Sequence, residues 1–195
     1  MIIEWLFNNY IEILGVIASL VYLYFSVRQN IWTWPFGIIA SLLYVLVFFE
    51  AGFYADMSLQ VYYFFISIYG WYFWVYGKKK GENKLRVGSL RRKEWIVYIF
   101  LTLILTFVAG YFLKKISGSL LPYLDAFTTS ASILATWMLA RKIIDTWLFW
   151  IVIDMVSIGM YIYKGLYPTI ILFVVYTIMA VIGYYQWKKD LKNGV

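Results

Sequence analysis

The chain has 195 residues, 64% apolar and 23% aromatic, and its 17 Lys and Arg against 10 Asp and Glu give a net charge of +7. A soluble globular domain is roughly 45–50% apolar, so too little polar surface remains here to cover a water-soluble particle. Cys and His are both absent, which excludes disulfides, thiolate and imidazole metal sites, Cys or His nucleophiles and imidazole proton relays. Chemistry is left to carboxylates, hydroxyls and aromatic rings, and no cofactor is expected.

Nearly uncharged runs follow one another at about 10–27, 33–49, 57–76, 95–113, 122–140, 146–163 and 167–187. At about 20 residues per span, they account for most of the chain. Helix is the expected state of each, because lipid offers no partner to an open backbone and these runs are too long for barrel strands. The first lacks a basic n-region and a small-residue cleavage site, so it reads as a retained span.

In chain order, the first span carries Glu12 and Ser19 and ends at Arg28. The second opens Thr33-Trp34-Pro35-Phe36, where Pro35 reads as an N-terminal helix residue, with a hinge as the alternative. On the third, Gln60, Tyr63 and Ser67 lie at i, i+3 and i+7 on one face. Gln60 is hard to place against lipid and reads as cavity-lining, or as an interhelical hydrogen bonder. A basic loop over 77–94 precedes the fourth span. On the fifth, Asp125, Thr129, Ser132 and Thr136 share a face. The sixth places Trp147, Trp150 and Asp154 at i, i+3 and i+7, continued by Ser157 and Tyr161. Intramembrane carboxylates are costly and functional by default, and Asp154 stands mid-span with no basic neighbour in sequence. Packing is the competing account of the aromatic stripe. Asp125 and Glu12, near span ends, are also placed to reach water.

With the N-terminus outside, every one of the 17 basic residues except Lys114, Lys115 and Lys164 falls on the inner side, as the positive-inside rule requires. The charge thus answers to topology and anionic lipid heads, and no nucleic acid partner is expected.

A constant offset of 113 positions, Trp34 to Trp147, lays the first three spans on the last three. It pairs Ala18-Ser19 with Ala131-Ser132, Arg28 with Arg141, Thr33-Trp34 with Thr146-Trp147, and Gly70-x-Tyr72-x-Trp74 with Gly183-x-Tyr185-x-Trp187. A three-span unit ends on the opposite face, so the fourth span returns the chain and both units run parallel. The expected fold is therefore an all-α integral membrane protein of seven transmembrane helices in two parallel three-helix repeats joined by a linker helix. Its divisions are residues 1–76, the loop and linker 77–121, and 122–195 with a short inner tail. Parallel repeats are an established carrier design with the site near the midplane. The candidate substrate contacts are Trp147, Trp150, Asp154, Gln60, Tyr63, Trp34, Thr129 and Ser132. Aromatic walls with one carboxylate suit a flat, positively charged ring. No P-loop is present.

Several segments make this chain resemble the PnuC-type vitamin transporters. They are Trp32-Thr-Trp34-Pro-Phe36-Gly37, Tyr54-Ala-Asp56-Met-Ser-Leu-Gln60-Val-Tyr62-Tyr63, Tyr69-Gly-Trp71-Tyr-x-Trp74, Asp125-Ala-Phe-Thr128-Thr129 and Trp147-x-x-Trp150-x-x-x-Asp154. The last is followed by Tyr161-x-Tyr163-Lys164-Gly165-Leu-Tyr167. The resemblance implies a fold related to the SWEET sugar transporters, a bacterial inner-membrane location and homo-oligomers. It also implies facilitated diffusion of nicotinamide riboside, trapped by phosphorylation through a cytoplasmic kinase, with Trp147 and Trp150 bordering the substrate. Thiamine is the alternative cargo within the family. Two other classes stand beside it: an intramembrane enzyme pairing Asp125 with Asp154, and a binding subunit without flux.

Overall fold

A backbone in lipid has to satisfy its own hydrogen bonds, and each of the seven apolar runs does so as a helix. The computed structural model describes residues 10–78, 85–116 and 120–193. The helices are α1 (Tyr10–Val27), α2 (Thr33–Glu50), α3 (Tyr54–Tyr76), α4 (Arg92–Ile116), α5 (Pro122–Ala140), α6 (Thr146–Lys164) and α7 (Tyr167–Asn193). Boundaries match the hydropathy runs closely at α1, α2, α5 and α6. Elsewhere the helices run on: α4 begins at Arg92 and α7 continues to Asn193, because intrahelical bonding does not stop where the apolar stretch does. Of the basic loop, Lys79, Lys80 and Lys84 lie outside the described residues, as does the start of the chain at Met1.

Termini are placed by local rules. Pro35 is the third residue of α2, where a missing N–H costs nothing because the first-turn donors have no intrahelical acceptor. Gly52 and Gly165 end α2 and α6 turns with φ of 74° and 71°, the left-handed conformation glycine adopts without a Cβ penalty. Glu94 lies in the first turn of α4 and Lys114 and Lys115 in its last, charges that suit the helix dipole, whereas Arg92 and Lys93 in the same first turn oppose it.

Among the described residues, α1, α2, α4, α6 and α7 are long and apolar enough by themselves to cross a membrane. The remaining two, α3 with 23 residues and α5 with 19, have comparable length. Their hydropathy is lowered by Gln60 and the tyrosines in α3, and by Asp125 and five Thr and Ser residues in α5. These are the helices that carry Gln60, Tyr63, Thr129 and Ser132. Large apolar side chains stand bare on the outside, including Phe65 at 63% exposed, Phe107 at 65% and Ile171 at 68%, a surface suited to acyl chains and not to water.

The chain divides into two units, residues 1–85 and 86–195. In the first, α2 packs against both α1 and α3; in the second, α4 packs on α5, α5 on α6 and α6 on α7. The sequence offset recurs as geometry. Gln29 and Lys142 both turn the chain with positive φ, 52° and 58°. Thr33 Oγ1 donates to the Tyr22 carbonyl at 3.1 Å, and Thr146 Oγ1 to that of Ala135 at 2.8 Å. Trp34 meets Trp74 edge to face at 5.3 Å, and Trp147 meets Trp187 at 5.6 Å. Both pairs sit over a glycine, Gly70 and Gly183, which leaves no room for a methyl.

Candidate functional site

The face anticipated on α6 is the inward one. Trp147, Asp154 and Ser157 are buried and Trp150 and Tyr161 half-buried, while Val152, Met155 and Ile162 on other faces are exposed. Asp154 is 3% exposed and has neither a hydrogen bond nor an ion pair among the described residues. A carboxylate held this way costs several kcal/mol, which packing alone gives no reason to bear. Its counterpart in the first unit, Ser41, is content by itself: Oγ donates to the Gly37 carbonyl at 2.8 Å and lies 3.0 Å from that of Ile38.

Trp147 is 2% exposed and Trp34 is fully buried. The indole Nε1 of each lies buried with no hydrogen-bond partner among the described residues. An orphan donor of this kind costs about 1–3 kcal/mol. Trp150 behaves differently. Its ring rests on a small core of Ala131, Ala135 and Ile153 beside Phe127 and Phe149.

That core exposes a size exchange between the units. Where α5 has Ala135 and α6 has Trp150, α1 has Tyr22 and α2 has Gly37. A Cβ at Gly37 would come within 3.1 Å of the Tyr22 ring and 2.8 Å of Ser67 Oγ. Each unit therefore fills this helix contact with one ring and one small residue, but the ring is carried by the first helix in one case and the second in the other. Sequence reasoning singled out Trp150 and Gly37 and missed Tyr22 and Ala135. The same offset was the signal that could have found them.

On α5, Ser132 is buried and its carbonyl accepts Thr136 Oγ1 at 2.8 Å, while Thr129 is half-buried. Burial thus deepens along this face away from Asp125. Asp125 itself lies 3.5 Å from Lys164 Nζ at the opposite end of α6 from Trp147. With Asp125 paired there and Asp154 unpartnered, the two carboxyls do not share a proton, and the acid–base pair considered for an enzyme is not formed. On α3, Gln60 and Tyr63 are half-buried, Ser67 is 3% exposed and Trp74 8%, whereas Trp71 turns outward at 42%. Tyr63 stacks obliquely with Tyr62 at 5.8 Å. No three carboxylates lie together as a metal site among the described residues.

A further polar centre at the start of α6 was not anticipated. Asp145, 7% exposed, accepts the Leu90 backbone N–H on Oδ2 at 2.6 Å and a bond from the Trp95 side chain. Burial pushes its carboxyl above the usual carboxylate range, those hydrogen bonds oppose the shift, and nearby Glu94 adds to it. Beside it, Gly88, Ser89, Leu90, Glu94, Tyr98, Trp137, Arg141 and Ile143 line a cavity of about 300 Å³.

Comparison with known proteins bears on this geometry. A family profile described as "Nicotinamide mononucleotide transporter" matches residues 9–189. The nicotinamide riboside transporter PnuC of Escherichia coli (strain K12) is 25% identical, over 95% of this chain and 87% of its own. The riboflavin/roseoflavin transporter RibM of Streptomyces davaonensis is 26% identical, over 93% of this chain and 87% of its own. A crystal structure of the vitamin B3 transporter PnuC shares the fold, with a TM-score of 0.77 at 23% identity, covering 99% of this chain and 87% of that one.

Proposed function

Since the chain belongs to the nicotinamide mononucleotide transporter family, a family of membrane carriers and not of enzymes, we propose that it conducts nicotinamide riboside across a bacterial inner membrane. The observation that carries this reading is Asp154, a buried carboxylate without a partner on the ring-bearing face of α6. A pyridinium ring supplies both complements: a positive charge for the carboxylate and a flat face for cation–π and stacking contact with tryptophan. Trp147 adds its Nε1 donor for a ribose oxygen. Trp150, Thr129 and Ser132 line the same unit, and Trp34, Gln60 and Tyr63 are the first unit's contacts.

The chain lacks a P-loop, which argues against ATP hydrolysis within it; the cycle we propose is facilitated diffusion, made one-way by phosphorylation through a cytoplasmic kinase. In this reading the N-terminus faces outside, the C-terminus faces the cytoplasm, and the protein works as a homo-oligomer. Riboflavin is the second reading, favoured by the relative from Streptomyces davaonensis; nothing among the relatives described favours thiamine.

Proteoliposomes containing the purified protein should take up labelled nicotinamide riboside without ATP. Asp154→Asn separates the two cargoes, because it removes the counter-charge that a pyridinium needs and a neutral flavin does not. Loss of nicotinamide riboside flux is expected, on the order of tenfold to a hundredfold for a charge-assisted contact. Uptake of riboflavin in preference to nicotinamide riboside, unaffected by Asp154→Asn, would instead assign the flavin.

A further inference from the structure

Asp145 occupies the N-cap position of α6 yet makes no side-chain bond to its own helix, although a carboxylate there ordinarily accepts an N–H of the first turn. Besides its own backbone N–H, it accepts from Leu90, 55 residues away, and from the Trp95 side chain. Two backbone bonds reinforce the link. The Gly88 N–H donates to the Lys142 carbonyl at 3.0 Å and the Ile144 N–H to the Gly88 carbonyl at 2.9 Å, a one-residue parallel bridge. Val87, 5% exposed, is buried next to it. Residues 86–90 thus form a strap across the α5–α6 turn.

The first unit offers an internal comparison. Its α1–α2 turn has the same left-handed residue, Gln29 in place of Lys142, and Trp32 stands where the second unit has Asp145. Trp32 is 56% exposed and its N–H bonds only the nearby Asn30 side chain at 3.0 Å. Two turns of one design therefore differ in a carboxylate and the strap it holds.

We propose that Asp145 is a positioning residue for the substrate site, fixing the first turn of α6, and with it Trp147, through the strap 86–90. First-turn N–H groups of a helix have no acceptor within it; here those of Thr146 and Trp147 bond the Ile143 and Ile144 carbonyls of the preceding turn, so whatever holds that turn sets where α6 begins. Thr146 is tied to α5 through the Ala135 carbonyl, and Asp145 ties the residue before it to the segment entering α4. Trp147 follows directly. The inference rests on the reading of Trp147 as a substrate contact.

The test measures nicotinamide riboside binding and backbone amide exchange on the full-length protein in nanodiscs, with Asp145→Ala, Asp145→Asn, Trp147→Ala and the Asp145→Ala/Trp147→Ala double variant. Asp145→Ala should weaken binding on the order of tenfold, within the range carried by residues that touch no ligand. It should also speed exchange both at 86–90 and over 146–150. Asp145→Asn keeps an acceptor for Leu90 and should recover part of both losses. In the Trp147→Ala background the effect of Asp145→Ala should vanish, because nothing remains for it to act through. Additive losses, or faster exchange confined to 86–90, would overturn the proposal. If the wild-type protein binds no nicotinamide riboside, the substrate reading fails separately, and exchange over 146–150 still decides whether the strap holds the start of α6.

Discussion

Gly183→Ala is the sharpest single perturbation the packing offers. The added methyl would lie 2.7 Å from Cε2 of Trp147 and 2.8 Å from Cδ2 and Cζ2, whereas carbon atoms rest about 3.5–4.0 Å apart. The ring must therefore withdraw by about 1 Å. It has nowhere to go: Trp147 is 2% exposed and Trp187 stands against it at 5.6 Å. Overpacking of this kind costs about 1–3 kcal/mol, and the helix propensity of Ala over Gly returns about 1 kcal/mol. The balance is a destabilisation of up to about 2 kcal/mol. Because the displaced group is the proposed substrate contact, affinity should fall by about tenfold, equivalent to 1.4 kcal/mol. Thermal unfolding followed by tryptophan fluorescence and calorimetric binding of nicotinamide riboside read the two effects. Gly70→Ala makes the same clash under Trp34, so it should lower Tm alike while costing less affinity. Gly159→Ala meets nothing within 4 Å and should leave Tm unchanged or raise it. A Gly183→Ala protein as stable and as tight-binding as the Gly159→Ala control would refute the argument.

Other consequences are equally direct. Asp154→Asn should raise Tm, since a buried unpaired charge is costly, while binding of nicotinamide riboside is lost; higher stability with unchanged affinity would return the residue to packing. Trp150→Gly should open a cavity against Ala131 and Ala135 worth about 2–4 kcal/mol, and adding Ala135→Tyr, the first unit's arrangement, should recover much of the Tm without restoring binding. Asp145 carries a pH signature. Its folded-state carboxyl is raised by burial, so the folded state holds its proton at a pH where the unfolded chain has released it. The cost of burying the charge is present at neutral pH and relieved on acidification. As pH falls from about 7 toward 4, the Tm of the wild type should rise relative to Asp145→Asn; a constant difference contradicts the assignment. Lys164→Ala, at the partly exposed pair with Asp125, should cost under about 1 kcal/mol, and less in high salt.

Much of this architecture is written locally. Uncharged runs became helices with ends close to the hydropathy limits, and the buried side of α6 follows from the spacing of Trp147, Trp150 and Asp154 because helical periodicity needs no knowledge of neighbours. The offset that pairs Trp34 with Trp147 recurs as matched turns with positive φ at Gln29 and Lys142, although the turn residues themselves differ except for Ile31 and Ile144. Periodicity does not settle depth where it depends on another helix. Trp71 and Trp74 stand three residues apart beyond the α3 face of Gln60, Tyr63 and Ser67, yet Trp71 is 42% exposed while Trp74 is buried at 8%. Trp74 is inside because Trp34 stacks on it edge to face.

Composition and pattern by themselves thus determined a helical membrane protein, the offset between its first and last three spans and the face that holds its buried acid, because each depends on hydrophobicity or on spacing along the chain. Tertiary structure alone decided which ring fills each helix contact, that Tyr22 and Gly37 exchange sizes with Ala135 and Trp150, and that Asp145 gives up its own helix to hold Leu90. Those outcomes turn on residues far apart in the chain, whose shapes and hydrogen bonds become complementary only once the helices have packed.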